Sequence, residues 1–350
     1  MLHKRSLLAV LFVFVIGNLS LAGRIWAQSR PELDSLLHDG DAALAANDFP
    51  QAISLFEKAS GLAPQDPVPV RKLMLAHLEA EQWSPAISLG QKAVSQWPQD
   101  PQLAHFLGLA YFKTGQNVAA AEQLQRAAKL DTRSFDTRFD LALCLLSQDQ
   151  YSEAAEALSQ AIKIDPSHAI AHLLLGRAYQ NSNRTVQAIE QFQTALRLDP
   201  SIRLGHYHLG YAYSSLGRNN EAIQEYEKEI LRSPDNPEVV YQLGHSLLES
   251  GEWKTAVTKL RRATELNPQN ADAFYDLGKG LLLQGNAEGA TEALRRAISL
   301  NPADPSPHFQ LARALEKNGN KNEARQEWQR FAELKKNQPT TGGMASGRTH

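Results

Sequence analysis

The chain has 350 residues, 43% of them hydrophobic, with 36 lysines and arginines against 38 aspartates and glutamates. The chain has no basic excess of the kind that neutralises nucleic-acid phosphates, so we expect no nucleic-acid partner, and the apolar content excludes a wholly disordered chain. The single cysteine, Cys144, excludes a disulfide framework and a cysteine-rich metal site.

The first 27 residues have the pattern of a targeting segment. A positively charged start precedes the apolar run Leu7 to Ile16, which has the length of a signal-peptide core and is too short to span a bilayer. Cleavage is expected after Ala22 or after Ala27, and we favour Ala27. An uncleaved membrane anchor is the alternative. Cleavage predicts an exported protein, periplasmic or extracellular, with no membrane span of its own and a short lead-in at residues 28–32.

A period of 34 residues organises the chain from residue 33 to residue 338. Prolines recur at this step, and Thr132 stands at the one place in the series that lacks proline. Alanine fills the twentieth place of all nine units, which excludes a chance pattern. The units are 33–66, 67–100, 101–134, 135–168, 169–202, 203–236, 237–270, 271–304 and 305–338.

Within each unit the apolar places follow helical spacing. Leucine fills the seventh place from the second unit onward, and large apolar residues fill the eleventh and twenty-fourth places, as Tyr179 and Phe192 do in the fifth unit. Steps of three and four residues indicate one face of a helix. Glycine or asparagine at the fifteenth place of most units, such as Gly251 and Asn183, predicts a turn between two helices. The proline then ends the second helix.

This pattern of leucine and glycine, tyrosine, alanine, phenylalanine and proline resembles the tetratricopeptide repeat. The resemblance covers residues 33–338. Together with the targeting pattern of residues 1–27, it favours an exported repeat protein of a bacterial type. Its fold would be an all-α solenoid, in which helix-turn-helix hairpins stack into a right-handed superhelix. The first helix of each unit would form most of an inner groove. Small residues at the eighth and twentieth places would let paired helices approach closely.

Some units depart from this pattern. The second unit has Met74 at a small place and Gly90 at a large one, and the last unit has Lys336 where proline belongs. Terminal repeats are expected to be atypical because their outer faces meet water. The last helix, residues 323–335, is expected to cap the stack, and residues 339–350 are expected to form a flexible tail.

No set of residues predicts catalysis, a cofactor or a metal site. His168 and His172 stand four apart, but a unit boundary separates them. His172, His206 and His308 share the fourth place, where the resemblance implies a ring packed between helices. Cys144 stands at a place that small residues fill in other units, so we expect it to pack rather than react. Since nucleophile, zinc and phosphate-loop motifs are also missing, the sequence predicts a protein that is not an enzyme.

The resemblance implies that the fifth, ninth and twelfth places of each first helix face the groove. Fifth-place residues form an aromatic row, and most ninth-place residues beside them are basic. Rings provide contact area and cations select carboxylates, so we expect an extended peptide to bind there. Alternatively, the rings pack against neighbouring helices and the cations are merely solvated. From the fourth unit onward the fifth-place residues are Phe139, Leu173, Tyr207, Tyr241, Tyr275 and Phe309, and from the fifth unit onward the ninth-place residues are Arg177, Tyr211, His245, Lys279 and Arg313.

An apolar strip is predicted in the N-terminal half of the groove. It consists of Leu75, Leu78, Leu109, Phe112, Leu143 and Leu146. An exposed patch of this size would bind an amphipathic segment of a partner or let two copies of the chain associate. Burial of the strip by a narrower groove is the third interpretation.

These patterns favour a non-catalytic scaffold that binds a protein or peptide partner in its concave groove. The alternative is an accessory subunit of an envelope polysaccharide, pilus or secretion assembly that contacts a glycan or a membrane complex. Aromatic side chains also stack on sugar rings, so the sequence is compatible with both functions.

Overall fold

The computed structural model describes residues 30–337, and every regular element in this range is an α-helix. The predicted targeting segment and the predicted C-terminal tail lie outside the described residues, so export and cleavage stay predictions. The first helix already includes residues 30–32, which the sequence pattern assigned to the lead-in. None of the described helices combines the length and the apolar character that crossing a membrane requires.

The helices pair as hairpins, and each hairpin follows one of the predicted units. The first helices are α1 (residues 30–45), α3 (Pro67–Glu79), α5 (Pro101–Lys113), α7 (Phe135–Leu146), α9 (Ala169–Asn181), α11 (Gly205–Ser215), α13 (Pro237–Glu249), α15 (Ala271–Leu283) and α17 (Pro305–Lys317). The second helices are α2 (Phe49–Leu62), α4 (Trp83–Gln96), α6 (Asn117–Leu130), α8 (Tyr151–Ile164), α10 (Thr185–Leu198), α12 (Asn219–Ile230), α14 (Trp253–Leu266), α16 (Ala287–Leu300) and α18 (Lys321–Asn337). The predicted all-α repeat fold is confirmed.

The chain divides into two compact units, the first ending at Pro166 and the second beginning at Ser167. Within each compact unit, the second helix of a hairpin packs against the first helix of the same hairpin and against the first helix of the next hairpin. Successive first helices also touch, as α3 and α5 do in the first unit and α13 and α15 do in the second. Each hairpin therefore buries its apolar faces against its neighbours, as a stacked repeat requires.

Positive φ angles mark the hairpin turns. Nine of the ten described residues with positive φ stand at the fifteenth place of their units. Five of the nine are glycines, which adopt this conformation without a steric penalty. The predicted turn is confirmed, even at Glu81, whose residue type does not signal it. The glycines are Gly115, Gly217, Gly251, Gly285 and Gly319, and the other four residues are Asn47, Glu81, Asp149 and Asn183.

Glycine at the eighth place lets a large twenty-fourth-place side chain pack over the first helix. A Cβ atom on Gly244 would lie 2.8 Å from Cγ of Leu260. In the second hairpin the two sizes are exchanged. Met74 is fully buried, and its Cε would lie 2.7 Å from a Cβ atom on Gly90. The exchange therefore preserves the close contact between α3 and α4.

The start of α11 departs from the repeat. The last residue of a unit usually caps the next first helix, as the side chains of Asp100 and Asn236 do by accepting hydrogen bonds from first-turn amides. Ile202 stands at this place before α11 and has no side-chain acceptor. The helix begins only at Gly205, after Leu204 with φ 59°. The periodic pattern predicts a regular unit here, and the missing cap explains the difference.

Candidate functional site

Ten of the predicted groove residues lie on consecutive first helices of the second compact unit. We call the fifth- and ninth-place side chains of α9, α11, α13, α15 and α17 the first-helix face. At the fifth place these are Leu173, Tyr207, Tyr241, Tyr275 and Phe309, and at the ninth place Arg177, Tyr211, His245, Lys279 and Arg313. Phe139 is not part of this face, since it lies on α7 in the first unit and stacks on Phe135 with ring centroids 5.5 Å apart.

The three fifth-place tyrosines are half-buried. Tyr207, Tyr241 and Tyr275 pack against the hydrophobic core of the second unit. Burial raises the pKa of all three phenols above the ordinary value, so their hydroxyls stay protonated at neutral pH. The Tyr241 hydroxyl lies 3.4 Å from Oδ2 of Asp276. Part of each ring therefore belongs to the core, and the remainder is open to solvent.

Phe309 packs against the terminal helix. Its ring centroid lies 5.1 Å from that of Trp328 and 5.3 Å from that of Phe331, both on α18. As expected, α18 turns these rings toward the preceding helix. The guanidinium of Arg313 lies 5.9 Å from the centroid of the Phe309 ring. At this end of the first-helix face, the aromatic row merges with the C-terminal cap.

His245 and Asp276 form a hydrogen-bonded pair in the middle of the face. Nδ1 of His245 lies 2.8 Å from Oδ2 of Asp276, whose side chain is 6% exposed. This hydrogen bond raises the pKa of the His245 imidazole, although partial burial acts in the opposite direction. His245 is on α13 and Asp276 on α15, so the pair also connects two successive first helices.

Lys279 has an acidic partner on the preceding first helix. Its Nζ donates to Oε1 of Glu249 at 2.7 Å. This hydrogen bond lowers the pKa of Glu249. Partial burial acts to lower the pKa of Lys279, but Glu249 outweighs it and the pKa is raised. The expectation that the ninth-place cations are free to select carboxylates is therefore wrong for Lys279 and His245, because acids of a neighbouring repeat already neutralise them.

These two pairs join residues 30 and 31 positions apart, slightly less than one period. An acidic residue about 30 positions from a ninth-place cation is therefore a sequence signal for such a pair. A comparison of the ninth-place residues with one another does not reveal it.

Arg177 is the open cation of the first-helix face. Its side chain is exposed, and it makes no ion pair or hydrogen bond with any residue between 30 and 337. Burial, assisted by the charge of Arg177, lowers the pKa of His208 to about 4, so this imidazole is neutral at pH 7. The rings of Tyr207 and Tyr211 lie nearby along α11, with centroids 6.3 Å apart. This end of the face therefore combines a positive charge with two phenol rings.

Three of the twelfth-place leucines are buried rather than open to solvent. Leu248 and Leu282 are 4% and 5% exposed and belong to the core of the second unit. In the first unit, Leu78 is 9% exposed and packs with Ala86 and Ala110. The predicted exposure of Leu78 is wrong because this place packs against the first helix of the following hairpin. The other residues of the apolar strip, all half-buried, are Leu75, Leu109, Phe112, Leu143 and Leu146.

The fourth-place histidines pack inside their hairpins, as predicted. Each Nδ1 atom meets a side-chain oxygen from the twenty-third place of the same unit. The pairs are His172 with Gln191 at 2.8 Å, His206 with Glu225 at 2.6 Å and His308 with Glu327 at 2.6 Å. His168, in the turn between units, accepts a hydrogen bond from the amide of Ala171 and so begins α9. Within the described part of the chain, no group of histidine, cysteine and acidic side chains is arranged to hold a metal ion.

Cys144 is a packing residue, as its place in the repeat predicts. It is fully buried on α7, and its Sγ donates to the carbonyl oxygen of Asn117 at 3.3 Å. Burial raises the pKa of the thiol. A buried thiol of this kind is a poor nucleophile.

Three family models described as tetratricopeptide repeat match most of the sequence. The first matches residues 39–101 and 241–306, the second residues 145–208 and 281–339, and the third residues 205–236. A model described as anaphase-promoting complex, cyclosome, subunit 3 matches residues 79–161. No curated protein matches the sequence significantly.

Several solved structures resemble the chain. YrrB, described as a TPR protein with an unusual peptide-binding site, is 25% identical over 53% of this chain and 96% of that chain, with a TM-score of 0.48. MamA from Desulfovibrio magneticus RS-1 is 21% identical over 49% and 97%, with a TM-score of 0.47. The APC/C hetero-tetramer Cut9-Hcn1 is 16% identical over 80% and 55%, with a TM-score of 0.50. This last likeness supports the helical repeat fold alone.

Proposed function

The chain belongs to the tetratricopeptide repeat family, and we propose that it is a non-catalytic scaffold that binds an extended segment of a protein partner along the first-helix face. The row of half-buried rings on α11, α13 and α15 carries this proposal. Tyr207, Tyr241 and Tyr275 are each held on one side by the core. Side chains that are already ordered lose little conformational freedom when a ligand covers them, so more of the contact energy appears as affinity.

The charges of the face define the ligand further. Lys279 and His245 have acidic partners within the chain. Arg313 donates to Oε1 of Gln310 at 3.2 Å. Arg177 has no ion-pair or hydrogen-bond partner among the described residues. An open arginine pairs well with a carboxylate. The expected ligand is therefore a segment with apolar or aromatic side chains over the tyrosines and one carboxylate near Arg177.

We also propose that the protein is exported, because residues 1–27 have the pattern of a targeting segment.

A glycan ligand in an envelope assembly is the alternative to a peptide, because sugars also stack on aromatic rings. A sugar stack needs an open ring face, and the half-burial of the three tyrosines reduces that area. This observation favours a peptide.

Affinity capture from an envelope extract tests the proposal. The bait is the full chain, compared with an Arg177→Gln/Tyr211→Lys variant. Lysine is the ninth-place residue of α15, so the repeat accommodates it. The control is Arg325→Gln on α18, which removes another exposed arginine that makes no ion pair between residues 30 and 337.

We expect wild type and control to retain the same protein, and the double variant to lose about ten-fold or more of it while its circular dichroism is unchanged. Proteolysis of the captured protein then identifies the bound segment. Equal capture by all three baits contradicts the proposal. Retention of a glycan in place of a protein favours the alternative.

A further inference from the structure

A cleft lies along α14 and the end of α15 in the second unit, outside the first-helix face. Its volume is about 850 Å³. We call it the α14 cleft. The residues that matter for its chemistry are Trp253, Lys254, Val257, Arg261 and Leu283.

Two large apolar side chains in the α14 cleft are exposed to solvent. Trp253 is 43% exposed and Leu283 is 44% exposed. In the other hairpins of this unit, polar or small residues fill the same two places. At the seventeenth place these residues are Thr185, Asn219, Ala287 and Lys321, and at the thirteenth place Asn181, Ser215, Glu249 and Lys317. In the first unit, the seventeenth place holds Phe49, Trp83 and Tyr151, but these three rings are half-buried, whereas Trp253 is exposed.

Trp83 provides the contrast. It stands at the same place in the second hairpin, but it is half-buried and packs against a cluster that contains Leu78, Ala86 and Ala110. Tryptophan at this place has a core role there. Trp253 belongs to no such cluster within the described chain.

The α14 cleft is also positively charged. Its charged lining residues are the basic Lys254, Arg261 and Arg262 and the acidic Glu265, in a chain whose net charge is -2. Arg262 is neutralised by Asp235 and Glu265. Lys254 and Arg261 are exposed, and their side chains have no ion-pair or hydrogen-bond partner among the described residues.

We propose that the α14 cleft binds a partner-protein segment in which a large apolar side chain stands next to acidic residues. Trp253 and Leu283 would contact the apolar side chain, and Val257, buried beneath them on α14, provides the apolar floor. Lys254 and Arg261 would pair with the carboxylates. Such an arrangement, an apolar centre beside complementary charges, is that of a protein interface whose tryptophan dominates affinity. This second site does not depend on ligand binding at the first-helix face.

A displayed library of random short peptides is the probe. It is selected on the full chain and counter-selected on a Trp253→Asn/Leu283→Ser variant. Asparagine and serine are the residues of the sixth hairpin at these places, so the variant is expected to fold, and its melting curve checks this. We expect enriched peptides to pair a large apolar residue with aspartate or glutamate. Their affinity, measured by fluorescence anisotropy, is expected to fall about ten-fold or more in the variant.

Two further variants separate this site from the first-helix face. Arg261→Gln places the residue of the fifth and ninth hairpins at this position. It is expected to weaken binding by a smaller factor and to reduce its salt dependence. Tyr211→Lys, on the first-helix face, is expected to leave the affinity of these peptides unchanged.

Three results would overturn the proposal. One is a selection whose peptides bind wild type and the Trp253→Asn/Leu283→Ser variant equally. Another is binding to phosphatidylglycerol vesicles that depends on Trp253, without enrichment of any peptide. The third is self-association of the wild-type chain that the double variant abolishes, again without peptide binding.

Discussion

Nδ1 of His245 lies 2.8 Å from Oδ2 of Asp276, on consecutive first helices of the second compact unit. The side chain of Asp276 is 6% exposed, so its carboxylate depends on protein partners rather than on water. The hydroxyl of Tyr241 also approaches this carboxylate, at 3.4 Å. One buried acid thus positions two side chains of the first-helix face.

This pair predicts a pH-dependent contribution to stability. The pKa of His245 is raised in the folded chain, chiefly by its hydrogen bond to Asp276. Its contribution is therefore fully present below the ordinary histidine pKa of about 6.5 and is lost as pH rises through the raised value. The difference in unfolding free energy between wild type and His245→Gln is expected to shrink as pH rises. Urea unfolding at a series of pH values measures it, and a difference that grows with pH would contradict the assignment.

His208 is expected to change the pH dependence of stability in the direction opposite to His245. Its pKa falls to about 4 in the folded chain, first because it is buried and second because of the charge of Arg177. Folding therefore becomes less favourable as pH falls from about 6.5 toward the lowered pKa, where the unfolded chain binds the proton more readily. His208→Gln should make the chain less sensitive to acid in this range. Identical acid unfolding profiles for variant and wild type would refute the prediction.

The exchanged sizes of Met74 and Gly90 predict a strong coupling. Met74→Gly alone is expected to cost about 2 to 5 kcal/mol, because it leaves a cavity. Gly90→Leu alone is expected to cost about 1 to 3 kcal/mol, because it overpacks the same space. The double variant restores the arrangement of the third hairpin, where Gly108 faces Leu124.

A double-mutant cycle measures this coupling. The double variant should lose less unfolding free energy than the two single variants lose together, by about 0.5 to 3 kcal/mol. Strict additivity would show that the two residues do not share one space.

Glu81 is a site where glycine should stabilise the protein. Its φ is 54°, in the left-handed region, and its side chain is exposed. That conformation costs a residue with a Cβ atom about 1 kcal/mol, so Glu81→Gly should raise the free energy of unfolding by about that amount. Gly115→Ala is the reverse change at the same place of the next unit, where φ is 75°, and should lower it. Thermal unfolding of both variants tests the pair, and a shift in the same direction would contradict it.

The 34-residue period was sufficient to predict the hairpins and their turns. It placed a turn even at Glu81, because the place in the period carries more information than the residue type. It also assigned Cys144 to packing, because small residues fill the same place in other units. The fourth-place histidines were assigned to packing by the resemblance to the repeat family. The period predicts these features because they depend on contacts within a single hairpin.

Contacts between successive hairpins were not predicted. The partners of His245 and Lys279 are acids on a neighbouring first helix, and they meet only because of the angle between consecutive hairpins. A sequence pattern considered within one repeat does not determine that angle. The burial of Leu78 was missed for the same reason, since the first helix of the next hairpin covers it.

Photo-crosslinking to the captured partner tests the central claim most directly. A benzophenone side chain replaces Tyr211 or Lys279 on the first-helix face, and Glu190 or Glu227 on the exposed sides of α10 and α12. Adducts from the first two positions and none from the second two are the predicted result. Adducts confined to Glu190 and Glu227 would contradict the claim that the partner lies along the first-helix face.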